Sequence, residues 1–350
     1  MARKTPAEGA AAEGAEDTRE AEGAGQPEAG GDAGIMETKF PIVCPGHLRP
    51  VVDVRFSTKA EDGVFLVSGC HDKSPMLRWA DNGDWIGTFE GHKGAVWSAA
   101  FNSDATRVAT GGGDFSARLW DAVNGDLIHQ FDHKHVVKTV EFSPDDERLL
   151  TGGSEKKLRV FNLKAEGMPC EVEINAPAPI RKASWLLENG SGAATNKIIL
   201  GCDDGAVQVW DTKKDASAGP EREWKAPGGR VKDLEVCASQ GTITIAAGKQ
   251  VSFYDLKSLE LRKTVDLTID VEGASLHPIT GKHFVAGGSD LWVHFYDVET
   301  GKELTAFKGH HGPVFCLRYR PDGEVVASGS EDGTIRLWKY EADENKAAEE

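Results

Sequence analysis

The feature that most constrains this chain is an internal repeat that runs from Phe40 to Trp338. Each unit has an apolar strand, a turn, a second strand ending in small residues, an acidic turn, and a strand closing on an aromatic residue followed by Asp. The closing positions lie 42, 41, 49, 44, 42 and 42 residues apart, at Arg78, Trp120, Phe161, Trp210, Tyr254, Tyr296 and Trp338. Each unit is therefore predicted to form one blade of an all-β propeller.

The period and the closing dipeptides are typical of WD40 repeats, which recur every ~40–45 residues. Trp120-Asp121 closes the second unit, and Tyr296-Asp297 closes the sixth in the same register. We predict a seven-bladed WD40 β-propeller over residues 37–340, with a disordered acidic extension over residues 1–36 and a short acidic tail over residues 341–350.

The ends of the repeat predict how the ring closes. The last unit stops at Trp338 after only three strands, so its fourth strand must come from elsewhere in the chain. Phe40–Val43 is the unpaired candidate. An N-terminal strand near residues 40–43 would then complete the last blade and protect its sheet edge.

Two units carry a polar set of His, Ser or Thr, Asp and Trp that can form one buried hydrogen-bond relay. The predicted tetrads are His92, Thr110, Asp114 and Trp120 in the second unit, and His310, Ser328, Asp332 and Trp338 in the seventh. Other units depart from this set, among them the first, which has Arg78 and Trp79 where Trp-Asp is expected. Those blades are expected to depend more on packing.

No residue pattern indicates catalysis or a bound cofactor. The His, Ser and Asp residues recur once per blade, which indicates a structural role rather than a catalytic triad. His133-Lys134-His135 lacks a matching Cys or acid cluster, and so has poor metal-ligand geometry. We therefore predict a non-enzymatic protein with no catalytic, cofactor or metal site and no small-molecule substrate.

Composition limits the partners further. The formal net charge is -16, which opposes broad binding to phosphate backbones, so any RNA contact should be local or made through a partner. No apolar run is long enough to span a membrane. The six scattered cysteines are expected to be buried and reduced, which favours a cytoplasmic or nuclear location.

The residue after the first apolar anchor of each inner strand gives a candidate binding surface. That series is Val52, Trp97, Lys138, Arg181, Lys232, Glu272 and Phe315, and these residues should meet at one mouth of the central channel. Lys138, Arg181 and Lys232 would then form a basic sector, flanked across the ring by Trp97 and Phe315. Such a surface suits an acidic peptide or a phosphate-bearing partner. The alternative is a set of ordinary solvated positions.

Several runs are more specific than any general repeat consensus. They include 75–78 (Pro-Met-Leu-Arg), 91–97 (Gly-His-Lys-Gly-Ala-Val-Trp) and 133–140 (His-Lys-His-Val-Val-Lys-Thr-Val). On these runs the chain resembles the WD40-repeat family of serine/threonine kinase receptor-associated proteins, also called Unr-interacting proteins, from about Cys44 to Trp338. The related subunit i of eukaryotic translation initiation factor three shares the Gly-His-x-Gly-Ala-Val-Trp element and is the alternative.

The resemblance implies an adaptor of the cytoplasm and nucleus. It implies association with components of the survival-of-motor-neuron (SMN) complex in spliceosomal ribonucleoprotein assembly and mRNA splicing, with a cold-shock-domain RNA-binding protein, and with receptor kinases. The chain ends soon after Trp338, whereas animal family members have a longer tail, so the receptor-kinase role is expected only if it does not need that tail.

Overall fold

The computed structural model describes residues 41–340 except 59, 61 and 188–193. The predicted disordered extension and the predicted acidic tail 341–350 lie outside the described residues. Within the described part there are seven four-stranded sheets, each antiparallel, and one short 3-10 helix at Ala216–Ala218. The predicted all-β, seven-bladed propeller is therefore confirmed. No helix among the described residues is long and apolar enough to cross a membrane.

Six blades consist of four consecutive strands each, and the seventh combines both ends of the described chain. The strands are β1 (Ile42–Cys44), β2 (Val51–Phe56), β3 (Phe65–Cys70), β4 (Met76–Trp79), β5 (Trp85–Thr88), β6 (Val96–Phe101), β7 (Arg107–Gly112), β8 (Ser116–Asp121), β9 (Leu127–Asp132), β10 (Val137–Phe142), β11 (Arg148–Gly153), β12 (Lys157–Asn162), β13 (Cys170–Asn175), β14 (Ile180–Leu187), β15 (Ala194–Cys202), β16 (Ala206–Asp211), β17 (Arg222–Lys225), β18 (Val231–Cys237), β19 (Thr242–Ala247), β20 (Gln250–Asp255), β21 (Leu261–Asp266), β22 (Val271–Leu276), β23 (His283–Gly288), β24 (Val293–Asp297), β25 (Glu303–Phe307), β26 (Val314–Tyr319), β27 (Val325–Ser330) and β28 (Ile335–Lys339).

The seventh blade is closed by the N-terminal strand. Strand β1 pairs antiparallel with β28, with Ile42 opposite Leu337 and Cys44 opposite Ile335. The strand begins at Ile42, and Phe40 lies outside the described residues. The other three strands of this blade come from the C-terminal end of the described chain, and β1 pairs along their outer edge. Backbone hydrogen bonds between β1 and β28 therefore close the ring.

The small residues at the ends of the second strands make room for the next blade. A Cβ built on Gly201 would lie 2.6 Å from Cγ1 of Val231, on the inner strand of the following blade. The same happens where the ring closes, since a Cβ on Gly329 would lie 2.7 Å from Cγ1 of Val51. The same packing of an apolar anchor against a glycine occurs at Gly111, Gly152 and Gly287, whereas the second strand of the fifth blade ends in Ala246 and Ala247 instead. The small residues let neighbouring inner strands approach closely.

The cysteines follow the expectation with one exception. Cys44, Cys70, Cys202, Cys237 and Cys316 are buried, whereas Cys170 is exposed at the start of β13, the outer strand of the third blade. The prediction that every cysteine occupies a buried apolar position is therefore wrong for Cys170. All six thiols are free.

Candidate protein-binding face at the channel mouth

Each inner strand contains a β-bulge near its first residue. In β10, Val137 lies opposite Gly153 and Thr139 lies opposite Gly152, so Lys138 is the extra residue between two paired positions. The same shift occurs in the other six inner strands. The seven extra residues are Val52, Trp97, Lys138, Arg181, Lys232, Glu272 and Phe315. A bulge re-aims a side chain away from the regular alternation of the strand, and here it does so at the same level in every blade.

These seven residues line a single cavity at one end of the ring axis. The cavity holds only about 20 Å³, room for about one water molecule, and Lys182, Asp233 and Cys316 lie beneath the seven. All seven are half-buried, so each still presents part of its side chain to solvent. A partner would therefore bind on top of this surface, which we call the mouth, rather than enter the channel.

The basic sector of the mouth surrounds an aromatic ring. Lys138 Nζ and Arg181 Cζ each lie 6.0 Å from the centre of the Trp97 ring, within the range of cation–π attraction. Arg181 Nε donates to the carbonyl oxygen of Lys232 at 3.4 Å, which places the third cation beside the second. Trp97 thus lies inside the basic sector, and the expectation that it would face this sector from across the ring is wrong.

Two acids partly neutralise this sector. Lys138 Nζ lies 3.6 Å from Asp203, and Glu272 contacts Lys232 and lies 4.0 Å from Arg181. Burial lowers the pKa of Lys138, and Asp203 opposes that shift. Exposed or half-exposed ion pairs of this kind contribute little net stability, because each charge can be solvated instead. The cations can therefore exchange these acids for acids of a partner at small cost.

The layer directly beneath the mouth is buried and crossed by ion pairs. Lys182 Nζ donates to Asp53 at 2.9 Å, linking the fourth blade to the first. Arg318 binds both carboxylate oxygens of Asp233 at 2.6 and 2.7 Å. Burial alone would raise the pKa of Asp53, but Lys182 and nearby arginines outweigh it and hold that pKa below its ordinary value. These charges fill the channel and join distant blades, so the layer supports the mouth from below.

Comparisons with known proteins agree with this architecture. A family model described as the IFT122 first beta-propeller matches residues 50–339. The serine-threonine kinase receptor-associated protein of Dictyostelium discoideum is 44% identical over 299 residues, covering 85% of this chain and 98% of that protein. Its Homo sapiens counterpart is 44% identical over 300 residues, covering 85% of this chain and 82% of that protein. The chain belongs to the serine-threonine kinase receptor-associated protein family. The predicted resemblance is thereby confirmed.

The alternative family, subunit I of the initiation factor, is less similar to this chain. Subunit I of eukaryotic translation initiation factor 3 from Bombyx mori is 28% identical over 332 residues, covering 86% of this chain and 95% of that protein. The family shown here consists of WD40 propellers, which typically act as scaffolds for other proteins.

In this family member, both predicted tetrads have relay geometry. Trp120 Nε1 donates to Thr110 Oγ1 at 2.8 Å, and Thr110 lies 2.7 Å from His92 Nε2. His92 Nδ1 lies 2.9 Å from Asp114, whose pKa is held below its ordinary value by hydrogen bonds that outweigh burial. The seventh blade repeats these contacts through His310, Ser328, Asp332 and Trp338 at 2.7–3.0 Å. These groups bond to one another inside the blades, away from the mouth.

The first blade keeps more of this relay than the sequence suggested. His47 lies 2.7 Å from both Ser68 Oγ and Asp72, and Arg78 replaces the indole. The buried Arg78 guanidinium instead donates to the carbonyl oxygens of Gly83, at 2.9 Å, and Pro45. The first blade therefore keeps the His, Ser and Asp contacts of the relay without the indole donor, and its greater dependence on packing stays a prediction. Ser68 and Asp72 are four residues apart, as Thr110 and Asp114 are, and this spacing is the signal in the sequence that identifies the contacts of the first blade.

One group of described side chains is close enough to suggest a metal site, and it belongs to the same relay. It consists of His47, Cys70 and Asp72. Burial raises the pKa of the Cys70 thiol to about 12. Both ring nitrogens of His47 already have hydrogen-bond partners, Asp72 and Ser68, each at 2.7 Å. His133 and His135 do not belong to this group. His133 Nδ1 lies 2.8 Å from the Arg159 guanidinium, and His135 Nδ1 accepts a hydrogen bond from the backbone amide of Val136. The arrangement fits hydrogen bonding better than metal binding.

Proposed function

We propose that this chain is a non-enzymatic scaffold that holds protein partners at the mouth. The observation that carries the proposal is that the seven bulged residues meet at one end of the channel and combine aromatic, basic and solvent-accessible side chains. Aromatic residues and arginine are favoured at binding hot spots, and Trp97 beside Arg181 provides both. Lys138 and Lys232 would add electrostatic attraction to an acidic partner segment.

The same geometry argues against catalysis. The His, Ser and Asp residues that could form a triad are bonded inside their blades, as in the His310, Ser328 and Asp332 relay. At the mouth, the acidic member Glu272 contacts Lys232, and no histidine is among the described residues that line the cavity. The one cysteine there, Cys316, is buried, and burial raises the pKa of its thiol. A general acid or base needs such a reacting partner within hydrogen-bond reach.

Family membership supports the more specific part of the proposal. We infer that the scaffold acts in the cytoplasm and nucleus with components of the SMN complex, in spliceosomal ribonucleoprotein assembly and mRNA splicing. A cold-shock-domain RNA-binding protein is a second proposed partner, and RNA would be contacted through such partners because the chain carries a net charge of -16. The relatives' name also supports a receptor-kinase adaptor role. A role in translation initiation rests on the more distant relatives at 28% identity.

The test is affinity purification with mass spectrometry from cells of the native organism. The variant carries Lys138→Glu, Arg181→Glu and Lys232→Glu, which reverses the basic sector. The matched control carries three charge reversals at exposed lysines outside the mouth, Lys213→Glu, Lys302→Glu and Lys339→Glu. Circular dichroism melting of each purified protein establishes that both variants remain folded.

Recovery of SMN-complex and Sm proteins with the wild type and the control, and their loss from the mouth variant, would support both parts of the proposal. Recovery of initiation-factor subunits instead would overturn the ribonucleoprotein assignment while keeping the scaffold. Identical partners with the wild type and the folded mouth variant would show that the mouth is not the binding face.

A further inference from the structure

Four blades share one five-residue turn between their third and fourth strands. In each, the amide of the fifth residue donates to the carbonyl of the first at 2.9–3.0 Å. The pairs, first residue and fifth, are Trp79 and Gly83, Asp121 and Gly125, Asp255 and Leu259, and Asp297 and Gly301. The three glycines have φ of 75°, 80° and 71°, and Leu259 has φ of 59°. The fifth blade thus places leucine where its sister blades have glycine, in the same left-handed conformation.

A leucine is unfavourable at this position. Its Cβ crowds the following carbonyl oxygen in the left-handed region, whereas glycine has no Cβ and adopts this conformation freely. The turn itself does not require leucine, because glycine forms the same hydrogen bond in three other blades. Strain of this kind persists where the side chain serves another purpose. The side chain of Leu259 packs against the core cluster that includes Leu186 and Leu256, and it stays partly open to solvent.

That side chain lines a cleft between the fourth and fifth blades, formed by the end of β14, the start of β15 and the turn after β20. The described lining is Leu186, Leu187, Thr195, Lys197, Leu256, Lys257 and Leu259. The cleft encloses about 390 Å³, far more than the mouth, and four of these seven residues are leucines. Leu186 and Leu256 form its buried floor, while Leu187 and Leu259 are half-buried. The cleft can therefore receive an apolar side chain of another molecule.

Basic residues surround this apolar floor. Lys257 is exposed on the turn itself, and Lys197 is 47% exposed on the opposite wall. One acid, Glu221, pairs with both Lys197 and the neighbouring Lys214. Both charged residues in the described lining of the cleft, Lys197 and Lys257, are therefore cations, on a chain whose net charge is -16. Charge complementarity selects an acidic partner.

We propose that this cleft is a second docking site, and that it binds a protein segment with an apolar anchor flanked by acidic residues. The anchor enters between Leu259 and the buried leucines, and the flanking acids face Lys197 and Lys257. The site is separate from the mouth, so it does not depend on the function proposed for the mouth. A scaffold with two such sites could hold two partners at once.

The test is selection of a phage-displayed random peptide library on the purified full chain, with counter-selection on Leu259→Gly. Synthetic peptides from the selected pool are then titrated by fluorescence polarisation. The variants are Leu259→Gly, Lys197→Glu with Lys257→Glu, and, as a matched control, Leu304→Ala, which removes a 43% exposed leucine from β25. The mouth variant Lys138→Glu, Arg181→Glu, Lys232→Glu is titrated beside them.

We expect acidic peptides with a Leu, Ile, Met or Phe anchor. Their affinity should fall at least tenfold for Leu259→Gly and for the lysine variant, and stay unchanged for Leu304→Ala and the mouth variant. The melting temperature of Leu259→Gly should stay within a few degrees of the wild type, because the relief of backbone strain offsets the lost packing of the leucine side chain. Neutral or basic peptides, equal affinity for Leu259→Gly, or a Leu259-dependent dimer in sedimentation experiments would overturn the proposal.

Discussion

The mouth and the layer directly beneath it lie one residue apart on the same seven strands, yet their chemistry is different. Lys138, Arg181 and Lys232 are half-buried and pair with half-buried acids, whereas Lys182 and Asp233, which immediately follow two of them, are buried in close ion pairs. All seven mouth residues are half-buried, and all seven residues that follow them are buried.

The bulge explains how neighbours in sequence can serve different purposes. The extra residue in each inner strand leaves the pairing register and faces the mouth, while the next residue returns to the channel. The mouth side chains can therefore change without disturbing the ladder. The fold thus places the candidate binding residues and the residues of the buried ion pairs next to each other in sequence, on the same strands.

The largest expected effect comes from breaking the lower layer. Arg318→Met should lower the free energy of unfolding by about 3–5 kcal/mol, because it leaves the buried carboxylate of Asp233 without its bidentate partner. The matched control is Arg181→Met at the mouth, where the loss should be within about 1 kcal/mol. Urea unfolding of both proteins checks this. Equal losses for the two variants would remove the distinction between the layers.

A smaller effect should appear in the pH dependence of stability. The pKa of Asp53 is lower in the folded protein than its ordinary value. Its contribution to the free energy of unfolding is therefore present when the pH is above the ordinary aspartate pKa, and it is lost as the pH falls from there through the folded-state pKa. Burial raises the pKa of Glu235, so its effect on stability has the opposite sign. Glu235 lowers the stability only as the pH rises above the ordinary glutamate pKa.

Below about pH 4 the protonation of aspartates therefore dominates the loss of stability. Urea titrations from about pH 2 to pH 6 should show a shallower fall in stability for Asp53→Asn than for the wild type. A mouth variant, Lys232→Gln, should retain the wild-type curve. Parallel curves for Asp53→Asn and the wild type would show that the ion pair with Lys182 does not stabilise the fold.

Repetition made the fold and the mouth predictable from the sequence. Seven units in register place equivalent residues at equivalent points of the ring, so aligning the inner strands was enough to group Val52 and Phe315 with residues hundreds of positions away. The tetrads were predictable for the same reason. The binding role of the mouth remains a prediction.

Contacts that break the repeat were not predictable. Asp203 lies on a turn between β15 and β16 rather than on an inner strand, so the alignment did not place it beside Lys138. The pair of Asp53 and Lys182 joins equivalent positions of the first and fourth blades, 129 residues apart, and the repeat does not show which of these positions contact each other across the channel. The left-handed backbone of Leu259 is likewise a local departure, which only comparison with the other turns makes visible.

The most direct test of the central claim is the affinity of a purified partner for Trp97→Ala. Trp97 is the aromatic centre of the basic sector, and it takes no part in the buried ion pairs beneath. Isothermal titration calorimetry with the partner recovered by the purification should give a Kd at least about tenfold weaker than for the wild type, with a melting temperature within a few degrees. An unchanged Kd for a folded Trp97→Ala would contradict the assignment of the mouth as the binding face.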